Sequence, residues 1–336
     1  MKAVGFLRSL PIDDPESLMD VELPDPAPTA TDLLVEVKAV SVNPADAKRR
    51  IRIAAEQPHE SPFVLGYDAV GIVRACGGSV TGFNPGDRVW YAGDVSRSGS
   101  YAELQCVDHR IAAHAPNGVS AEAAASLPLV SLTAWEMLFS RLQVPSNERP
   151  FTLLVIGGAG GVGSITTQIA RKLTNATVIA TASRRESSDW CKKMGAHVVV
   201  DHRNLVEQVR DAGFEFVDYI VQYADTAQHW EAMCELIAPQ GRIGTIVETP
   251  DKLDVSALQA KSAALMWELM FTRSLFGTHD MSRQGEILSR MARLVEDSII
   301  STLDTRVLNG LTAETFKQAH GLIEQGAMIG KLVVKY

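Results

Sequence analysis

The spacing of apolar residues changes along the chain, and this change predicts two kinds of structure. The first part carries short apolar segments such as Leu33–Val40, Val70–Arg74 and Arg88–Tyr91, separated by prolines and by turn sequences such as that at 84–87. Short strand-prone segments bounded by turn residues predict a mostly β module with the strand spacing of a barrel. Around Ser120, a candidate helix N-cap, the composition becomes helical, which indicates a domain boundary.

From Phe151 onward, continuous apolar runs alternate with helical segments. Strands are predicted at 153–156, 177–180, 198–200, 219–221 and 243–247, with helices at 164–173, 189–194 and 228–237. Such runs lack the polar alternation of half-exposed strands, so they predict a parallel sheet covered on both faces. A helix with an apolar face at Ile287–Val295, a helix at 314–324 and a last strand at 332–334 follow. The predicted fold class is therefore α/β, with a β-barrel module and a doubly wound domain.

Composition narrows the function. The 40 acidic and 32 basic side chains leave a net charge of −8, which argues against a nucleic-acid partner or an anionic membrane surface. The start of the chain does not have the pattern of a secretory signal. Apolar runs such as 198–200 and 332–334 are far shorter than the roughly 20 residues of a membrane helix, so no membrane span is expected. Four widely spaced cysteines without a CxxC pair favour a reducing cytoplasm.

A glycine-rich turn lies between the first predicted strand of the doubly wound domain and its helix. Its GxGxxG pattern is formed by Gly158, Ala159, Gly160, Gly161, Val162 and Gly163. In this setting the glycines permit a tight turn and let backbone N–H groups approach a pyrophosphate at the helix N-terminus. The alternative is a glycine-rich turn that binds nothing.

The end of the next strand bears on the choice of dinucleotide. An NAD site offers an acidic residue to the ribose about 20 residues after the first glycine. Here the residues between the glycine turn and Glu186 include no acid. The hydroxyl and guanidinium donors that suit a 2′-phosphate are instead supplied by Ser183, Arg184 and Arg185. NADPH is therefore predicted over NADH, the alternative being that either arginine is a solvated surface charge.

Several segments together resemble the medium-chain dehydrogenase/reductase superfamily over essentially the full chain. They are Ser41–Asp46, Leu65–Val73, Gly86–Val89, the glycine turn and Gly330–Val334. The sequence is most similar to the quinone-oxidoreductase-like members, often labelled zinc-type alcohol dehydrogenase-like. The resemblance implies a GroES-like catalytic domain built from both chain ends, residues 1–125 and 278–336, and a Rossmann NADP-binding domain, residues 126–277.

The resemblance also raises the question of zinc. The positions of two catalytic zinc ligands in the zinc-dependent relatives match Asn43 and Tyr67, and the segment 120–142 contains no cysteine for the third. A carboxamide and a phenol are poor zinc ligands, so no metal is expected. No histidine pair has HxxH or HExxH spacing. His202, which follows Val200 and Asp201, stands where relatives often place a tyrosine beside the 2′-phosphate. It is therefore a candidate contact for that group, or else a surface residue.

Hydride transfer without a metal favours an activated acceptor, a quinone or an α,β-unsaturated carbonyl, in which charge spreads to oxygen. The resemblance implies that Asn43 lies near the nicotinamide and donates to a carbonyl oxygen, and that Tyr67 donates a hydrogen bond or proton. Lys48 is a further catalytic candidate, because it matches a position where some quinone oxidoreductases have a tyrosine. The structural alternatives are a turn-stabilising Asn43 and a Tyr67 packed in the barrel wall. Asp46 and Asp68 are expected to orient backbone or neighbouring side chains.

Two other functions stay open. One is a zinc-type alcohol dehydrogenase, and the other is an NADPH-binding sensor or structural protein without turnover. The superfamily resemblance also implies a homodimer joined at sheet edges, for which Met270–Arg273 is the candidate edge strand.

Overall fold

The computed structural model describes residues 1–146 and 149–336. The chain divides into two compact units. We call the first, Met1–Leu129 with Phe271–Tyr336, the β-rich unit, and the second, Val130–Met270, the parallel-sheet unit.

Strands and helices are numbered in chain order. The strands are β1 (Lys2–Phe6), β2 (Met19–Glu22), β3 (Asp32–Val42), β4 (Phe63–Val64), β5 (Asp68–Cys76), β6 (Arg88–Tyr91), β7 (Leu104–Asp108), β8 (Ala112–His114), β9 (Phe151–Ile156), β10 (Ala176–Thr181), β11 (Val198–Val200), β12 (Val217–Gln222), β13 (Ile237–Thr245), β14 (Ala264–Trp267), β15 (Asp304–Asn309) and β16 (Lys331–Lys335). The α-helices are α1 (Pro44–Arg52), α2 (Ala121–Ala125), α3 (Pro128–Trp135), α4 (Gly161–Leu173), α5 (Arg185–Lys193), α6 (Leu205–Asp211), α7 (Thr226–Leu236), α8 (Thr272–Leu275), α9 (Arg283–Glu296) and α10 (Ala313–Glu324). A π-helix covers Glu136–Arg141, and 3-10 turns cover His109–Ile111, His202–Asn204 and Val255–Lys261.

The parallel-sheet unit is built on six strands in the order β11-β10-β9-β12-β13-β14, and every neighbouring pair is parallel. The apolar run of β9 is buried, as expected for a strand covered on both faces. The predicted doubly wound sheet is therefore confirmed. The order of the strands reverses beside β9, and ligands of such folds bind outside the carboxyl ends of the strands at this point.

The β-rich unit contains a seven-stranded sheet in the order β15-β16-β3-β5-β6-β8, in which β7 also pairs with β3. A small sheet, β2-β1-β4, is formed by the chain's first part. Strand β16 pairs antiparallel with β3, with Leu332 opposite Val42 and Val333 opposite Ser41. This register brings the start of β16 next to the segment that follows β3.

Helix boundaries follow the sequence pattern with local extensions. Ser120 caps α2, because its hydroxyl accepts the N–H of Ala123 at 3.1 Å. The predicted apolar face of α9 is buried at Ile287, Leu288 and Met291. The helix predicted at 189–194 begins earlier, at Arg185.

The prediction of an edge strand at Met270–Arg273 is wrong. Met270 and Phe271 lie in a turn and are buried, and α8 begins at Thr272. Two consecutive buried residues do not fit the alternation of an edge strand, in which successive side chains point to opposite faces. The edge strands of the parallel sheet are β11 and β14.

The mainly helical run Ala121–Arg141 has the length and hydropathy of a membrane span. However, 83% of its most apolar window is buried inside the protein. That burial is typical of a core helix, which needs the same apolar composition.

Candidate active site

The glycine turn follows β9 and leads into α4. Gly157 has a left-handed φ of +84°, and a Cβ on Gly163 would lie 2.2 Å from the Gly157 carbonyl oxygen. A Cβ on Gly158 would lie 2.8 Å from the Cβ of Ala180. A Cβ on Gly160 would meet nothing closer than 3.6 Å, so the protein's own packing does not require glycine there. The backbone or packing of the protein therefore requires glycine at 157, 158 and 163, whereas the space beside Gly160 is open.

The first N–H groups of α4 have no side-chain acceptor in the described part of the chain. Gly160 is the N-cap, and no side chain of the described residues caps this helix. The orphan N–H groups of a first turn and the helix dipole favour an anion at this end. The Gly157 N–H donates to Thr181 Oγ1 at 3.0 Å, which ties the turn to the end of β10.

Ser183, Arg184 and Arg185 are exposed and follow β10, the strand beside β9. Arg184 is the N-cap of α5, where its N–H donates to Ser187 Oγ at 3.2 Å. Arg185 is 95% exposed, with its Nε 3.9 Å from Asp189 Oδ2. The structure therefore places these donors and the glycine turn at the carboxyl ends of neighbouring strands. Their contact with a 2′-phosphate stays a prediction.

His202 follows β11, the strand next to β10, and so also lies at the carboxyl end of its strand. Its ring meets the ring of buried His229 edge-on, with centroids 5.6 Å apart. Burial lowers the pKa of His229, and His202 adds to that effect. Both rings line a cavity of about 480 Å³ beside α6 and α7. A contact of His202 with a cofactor phosphate stays a prediction.

A buried polar cluster lies in the β-rich unit where β3, β5 and β16 run side by side. Asp68 is fully buried; its Oδ2 accepts from Asn43 Nδ2 at 2.9 Å, from Lys331 Nζ at 3.1 Å and from the Ser41 hydroxyl. Its Oδ1 accepts the Leu129 N–H at 2.6 Å. The ammonium and the hydrogen bonds offset the cost of burying a carboxylate. We call these residues the Asp68 cluster.

Asn43 is part of the Asp68 cluster and is 2% exposed. Its amide nitrogen donates to Asp68 and, at 3.3 Å, to the Ser41 carbonyl oxygen, while its amide oxygen accepts from Lys331. Both ends of the amide are thus engaged inside the protein. The donation to a substrate carbonyl that the resemblance implies stays a prediction, and the geometry gives Asn43 a positioning role.

Asp46 shapes the turn that presents Tyr67. Its Oδ2 accepts the Asn43 N–H at 2.8 Å, and its Oδ1 accepts the Gly66 N–H at 3.1 Å. Gly66 has φ +106°, and a Cβ there would lie 2.4 Å from Ser100 Oγ, so this turn requires glycine. Burial raises the pKa of Asp46 to about 7, against the opposing effect of the Asn43 hydrogen bond.

Tyr67 is 4% exposed, and its ring centroid lies 4.7 Å from that of Phe271. Burial raises the pKa of Tyr67 well above its ordinary value; Asp46 adds to the rise and Arg49 opposes it. The phenol is therefore protonated at neutral pH and is a hydrogen-bond donor. Its hydroxyl donates to no other residue in the described part of the chain.

Lys48 lies on a different face of α1 from Asp46. It is exposed on α1, two residues after buried Asp46. Residues two apart on a helix lie on nearly opposite sides, so Lys48 points away from the face that carries Asp46. Its expected catalytic role stays a prediction that this position does not support.

The side chains at the two matched ligand positions do not fit zinc. Asn43 is engaged at both ends, Tyr67 is a protonated phenol, and the Lys331 ammonium contacts the Asn43 amide oxygen. A fixed ammonium repels a dication, and Zn²⁺ needs N, S or O ligands that carry free lone pairs. Within residues 1–146 and 149–336, no group of three or more His, Cys, Asp or Glu side chains is arranged to hold a metal.

The sequence pattern does not identify two residues of this site. Lys331 lies in one of the segments that carry the resemblance, where no role is predicted for it, although a lysine at the start of the apolar strand β16 is an available signal. Arg49 gives no such signal, because its position relative to Tyr67 depends on the face that α1 presents.

Two family profiles match the chain: an alcohol dehydrogenase GroES-like domain over residues 29–124 and a zinc-binding dehydrogenase over residues 161–291. A zinc-type alcohol dehydrogenase-like protein of Staphylococcus aureus (strain MSSA476) is 41% identical over 338 residues, which cover 99% of both chains.

Solved structures agree with these matches. A putative zinc-dependent alcohol dehydrogenase of Rhizobium etli CFN 42 is 46% identical, with a TM-score of 0.95 over 100% of this chain and 98% of that one. The quinone oxidoreductase of Coxiella burnetii is 26% identical, with a TM-score of 0.81 over 100% and 99%. The chain therefore belongs to the medium-chain dehydrogenase/reductase superfamily of oxidoreductases, among its zinc-type alcohol dehydrogenase-like members.

Proposed function

We propose that this protein is an NADPH-dependent oxidoreductase that reduces quinones or α,β-unsaturated carbonyl compounds without a catalytic zinc ion. The observation that carries the proposal is Tyr67, a protonated phenol whose hydroxyl no described residue engages, at a position where zinc-dependent relatives have a metal ligand. The quinone oxidoreductase activity named for the Coxiella burnetii protein supports the acceptor class.

The cofactor part of the proposal rests on the carboxyl ends of the strands of the parallel sheet. The first N–H groups of α4 would hold the pyrophosphate, and the open space at Gly160 admits its close approach. Ser183 and Arg184 supply donors suited to a 2′-phosphate. A bound NADPH would supply the hydride.

The acceptor part follows from the donors that the β-rich unit offers. A simple ketone would collect full charge on one alkoxide oxygen, which favours a metal ion or a strong cation. The Lys331 ammonium is committed to Asp68 and Asn43, so it is not directed at an acceptor. Tyr67 can donate one hydrogen bond or proton, which suits an acceptor whose charge is already delocalised.

A zinc-type alcohol dehydrogenase is the second candidate function, because the matching profile and the relative from Staphylococcus aureus are named after zinc-dependent enzymes. Against it stand the engaged Asn43, the protonated Tyr67 and the nearby ammonium of Lys331. Metal analysis of purified protein and assays after chelation separate the two proposals.

Assembly and location complete the proposal. We propose a homodimer joined at β14, an edge strand with a neighbour on one side and a half-exposed Trp267. Sedimentation as a monomer at micromolar concentration contradicts it. We also propose a cytoplasmic location, in keeping with four unpaired cysteines.

The central experiment measures loss of NADPH absorbance with a panel of quinones, enones and simple ketones. Quinones or enones are expected to be turned over and simple ketones to be poor acceptors. Tyr67→Phe is expected to lower kcat about 100-fold, as for removal of a positioned proton donor. Tyr219→Phe, in β12 of the other unit, is the matched control. Wild-type kcat in Tyr67→Phe, or loss of activity on chelation, contradicts the proposal.

A further inference from the structure

Arg49 is a half-buried cation on α1. Its Nε is buried and has no hydrogen-bond partner, and no carboxylate in the described part of the chain forms an ion pair with it. The next residue, Arg50, shows the usual solution: it donates to the Leu10 carbonyl and pairs with Glu324 at 2.5 Å. A buried donor without an acceptor costs free energy, so Arg49 is a candidate functional charge.

An aromatic cluster holds Arg49 in place. Its guanidinium carbon lies 5.3 Å from the ring centroid of Phe63, a cation–π contact. Phe63 in turn stacks on His59 at 5.2 Å and meets Phe6 edge-on at 5.9 Å. The ring under Arg49 is therefore packed on its other sides, and the charge is preorganised rather than free to move.

Helix α1 packs against the segment that leads to Tyr67, with the Arg49 guanidinium on the Phe63 ring and Asp46 on the Gly66 N–H. Asp46 and Arg49 lie three residues apart on one face of α1, and Asp46 holds the Gly66 turn that precedes Tyr67. The pKa of Tyr67 is raised by burial and by Asp46 and is lowered by Arg49. Tyr101 is a further titratable group that interacts with Tyr67, and the Phe271 ring packed on it is uncharged.

We propose that Arg49 stabilises the negative charge left on the Tyr67 oxygen when this phenol protonates the acceptor, and that it thereby favours enones over quinones. This inference rests on the proposed function. Arg49 is a positioning residue in the electrostatic sense, because it acts through Tyr67.

Each electron pair and the proton of this step have a defined destination. Hydride adds to the β-carbon of the enone, and the π electron pair moves to the carbonyl oxygen. The Tyr67 O–H bond breaks, its proton passes to that oxygen to give the enol, and the electron pair stays on Tyr67 until water returns a proton. An enolate oxygen is more basic than a hydroquinone anion, so the enone depends more on this proton and on the charge that stabilises its donor.

The kinetic test compares one enone and one quinone. Arg49→Gln is expected to lower kcat about tenfold for the enone and less than about threefold for the quinone, with little change in KM. Arg49→Lys keeps the charge and is expected to restore most of the enone rate. Arg293→Gln, an exposed arginine on α9, is the matched control.

A double-mutant cycle decides whether Arg49 acts through Tyr67. In a Tyr67→Phe background, Arg49→Gln is expected to change the enone rate less than about twofold. An equal loss in both backgrounds, no loss in either, or equal losses for enone and quinone overturns the inference. Should Arg49→Gln fail to fold, Phe63→Leu removes the ring under the guanidinium and is expected to lower the enone rate about threefold; an unchanged enone rate overturns the inference.

A fluorinated, more acidic tyrosine placed at 67 gives a readout that needs no turnover. Its titration, followed by fluorine NMR, is expected to move to higher pH in Arg49→Gln, because the stabilising cation is gone. An unmoved midpoint overturns the coupling. If the wild-type protein reduces no acceptor at all, the proposed function fails, and this titration still decides whether Arg49 acts on Tyr67.

Discussion

Replacing Lys331 by Met removes the ammonium group of the Asp68 cluster while keeping a side chain of similar length. Asp68 then stays fully buried without its counter-ion, and the Asn43 amide oxygen loses its donor. The variant therefore tests whether the cluster is an ion pair that the fold depends on.

The expected loss can be bounded from the contacts. Removing one partner of a buried ion pair costs about 3–5 kcal/mol of unfolding free energy. Asp68 keeps three donors, the Ser41 hydroxyl, the Asn43 amide and the Leu129 N–H. We therefore expect a loss near the lower limit, about 3 kcal/mol.

Lys335→Met is the matched control on the same strand. Its ammonium is 53% exposed and pairs with Glu122, so the expected loss is about 0–1 kcal/mol. The assay is urea unfolding combined with hydrogen exchange of β3 and β16 amides. Exchange is needed because a chain with two compact units does not have to unfold in one step.

The double variant Asp68→Leu with Lys331→Met separates charge from packing. Removing both charges takes away the uncompensated carboxylate, so this variant is expected to be more stable than Lys331→Met alone. A loss of under about 1 kcal/mol in Lys331→Met, equal to that of the control, would refute the reasoning. So would a double variant that is less stable than the single one.

Three further predictions concern the glycine turn, cofactor choice and pH. Gly163→Ala is expected to lose about 1–3 kcal/mol of stability and also dinucleotide affinity, because its Cβ clashes with a backbone carbonyl. Gly160→Ala is expected to keep the melting temperature of the wild type and to lose affinity alone. Equal melting temperatures for the two variants contradict this prediction. Replacing Arg184 and Arg185 by Ala is expected to weaken NADPH binding about tenfold in calorimetry and to spare NADH, and equal losses would speak against a 2′-phosphate contact. The pKa of Asp46 is raised to about 7 in the folded protein, above the ordinary value of an aspartate, so its stabilising contribution is full below about pH 4 and is lost as the pH rises through about 7. The stability of the wild type relative to Asp46→Asn should fall between these limits in urea titrations, and a flat difference would count against the raised pKa.

The sequence predicted the parallel-sheet unit well because its signals are local. Apolar runs such as β9 and β12, and a glycine motif between a strand and a helix, report on residues close together in the chain. The prediction of a strand at Met270–Arg273 was wrong because consecutive apolar residues occur in short strands and also in buried turns. The local sequence does not distinguish a buried turn from a short strand here.

The Asp68 cluster could not be predicted in the same way. Asn43, Asp68 and Lys331 are far apart in the chain and meet through the pairing of β3 with β5 and β16. A one-residue difference in that register would point a side chain to the other face of the sheet. The choice between Lys48 and Arg49 likewise depends on the face of α1, a helix that the apolar pattern does not predict.

The position of β16 has a consequence for biosynthesis. Residues 130–270 form a contiguous unit that can fold while the ribosome still holds the later residues. Strand β3, made early, has to wait for β16 before its hydrogen bonds on that side are satisfied. Throughout translation the nascent chain therefore exposes an open strand edge, which invites capture by chaperones or by a neighbouring nascent copy. Truncation within residues 331–336 is expected to leave that vulnerability permanent.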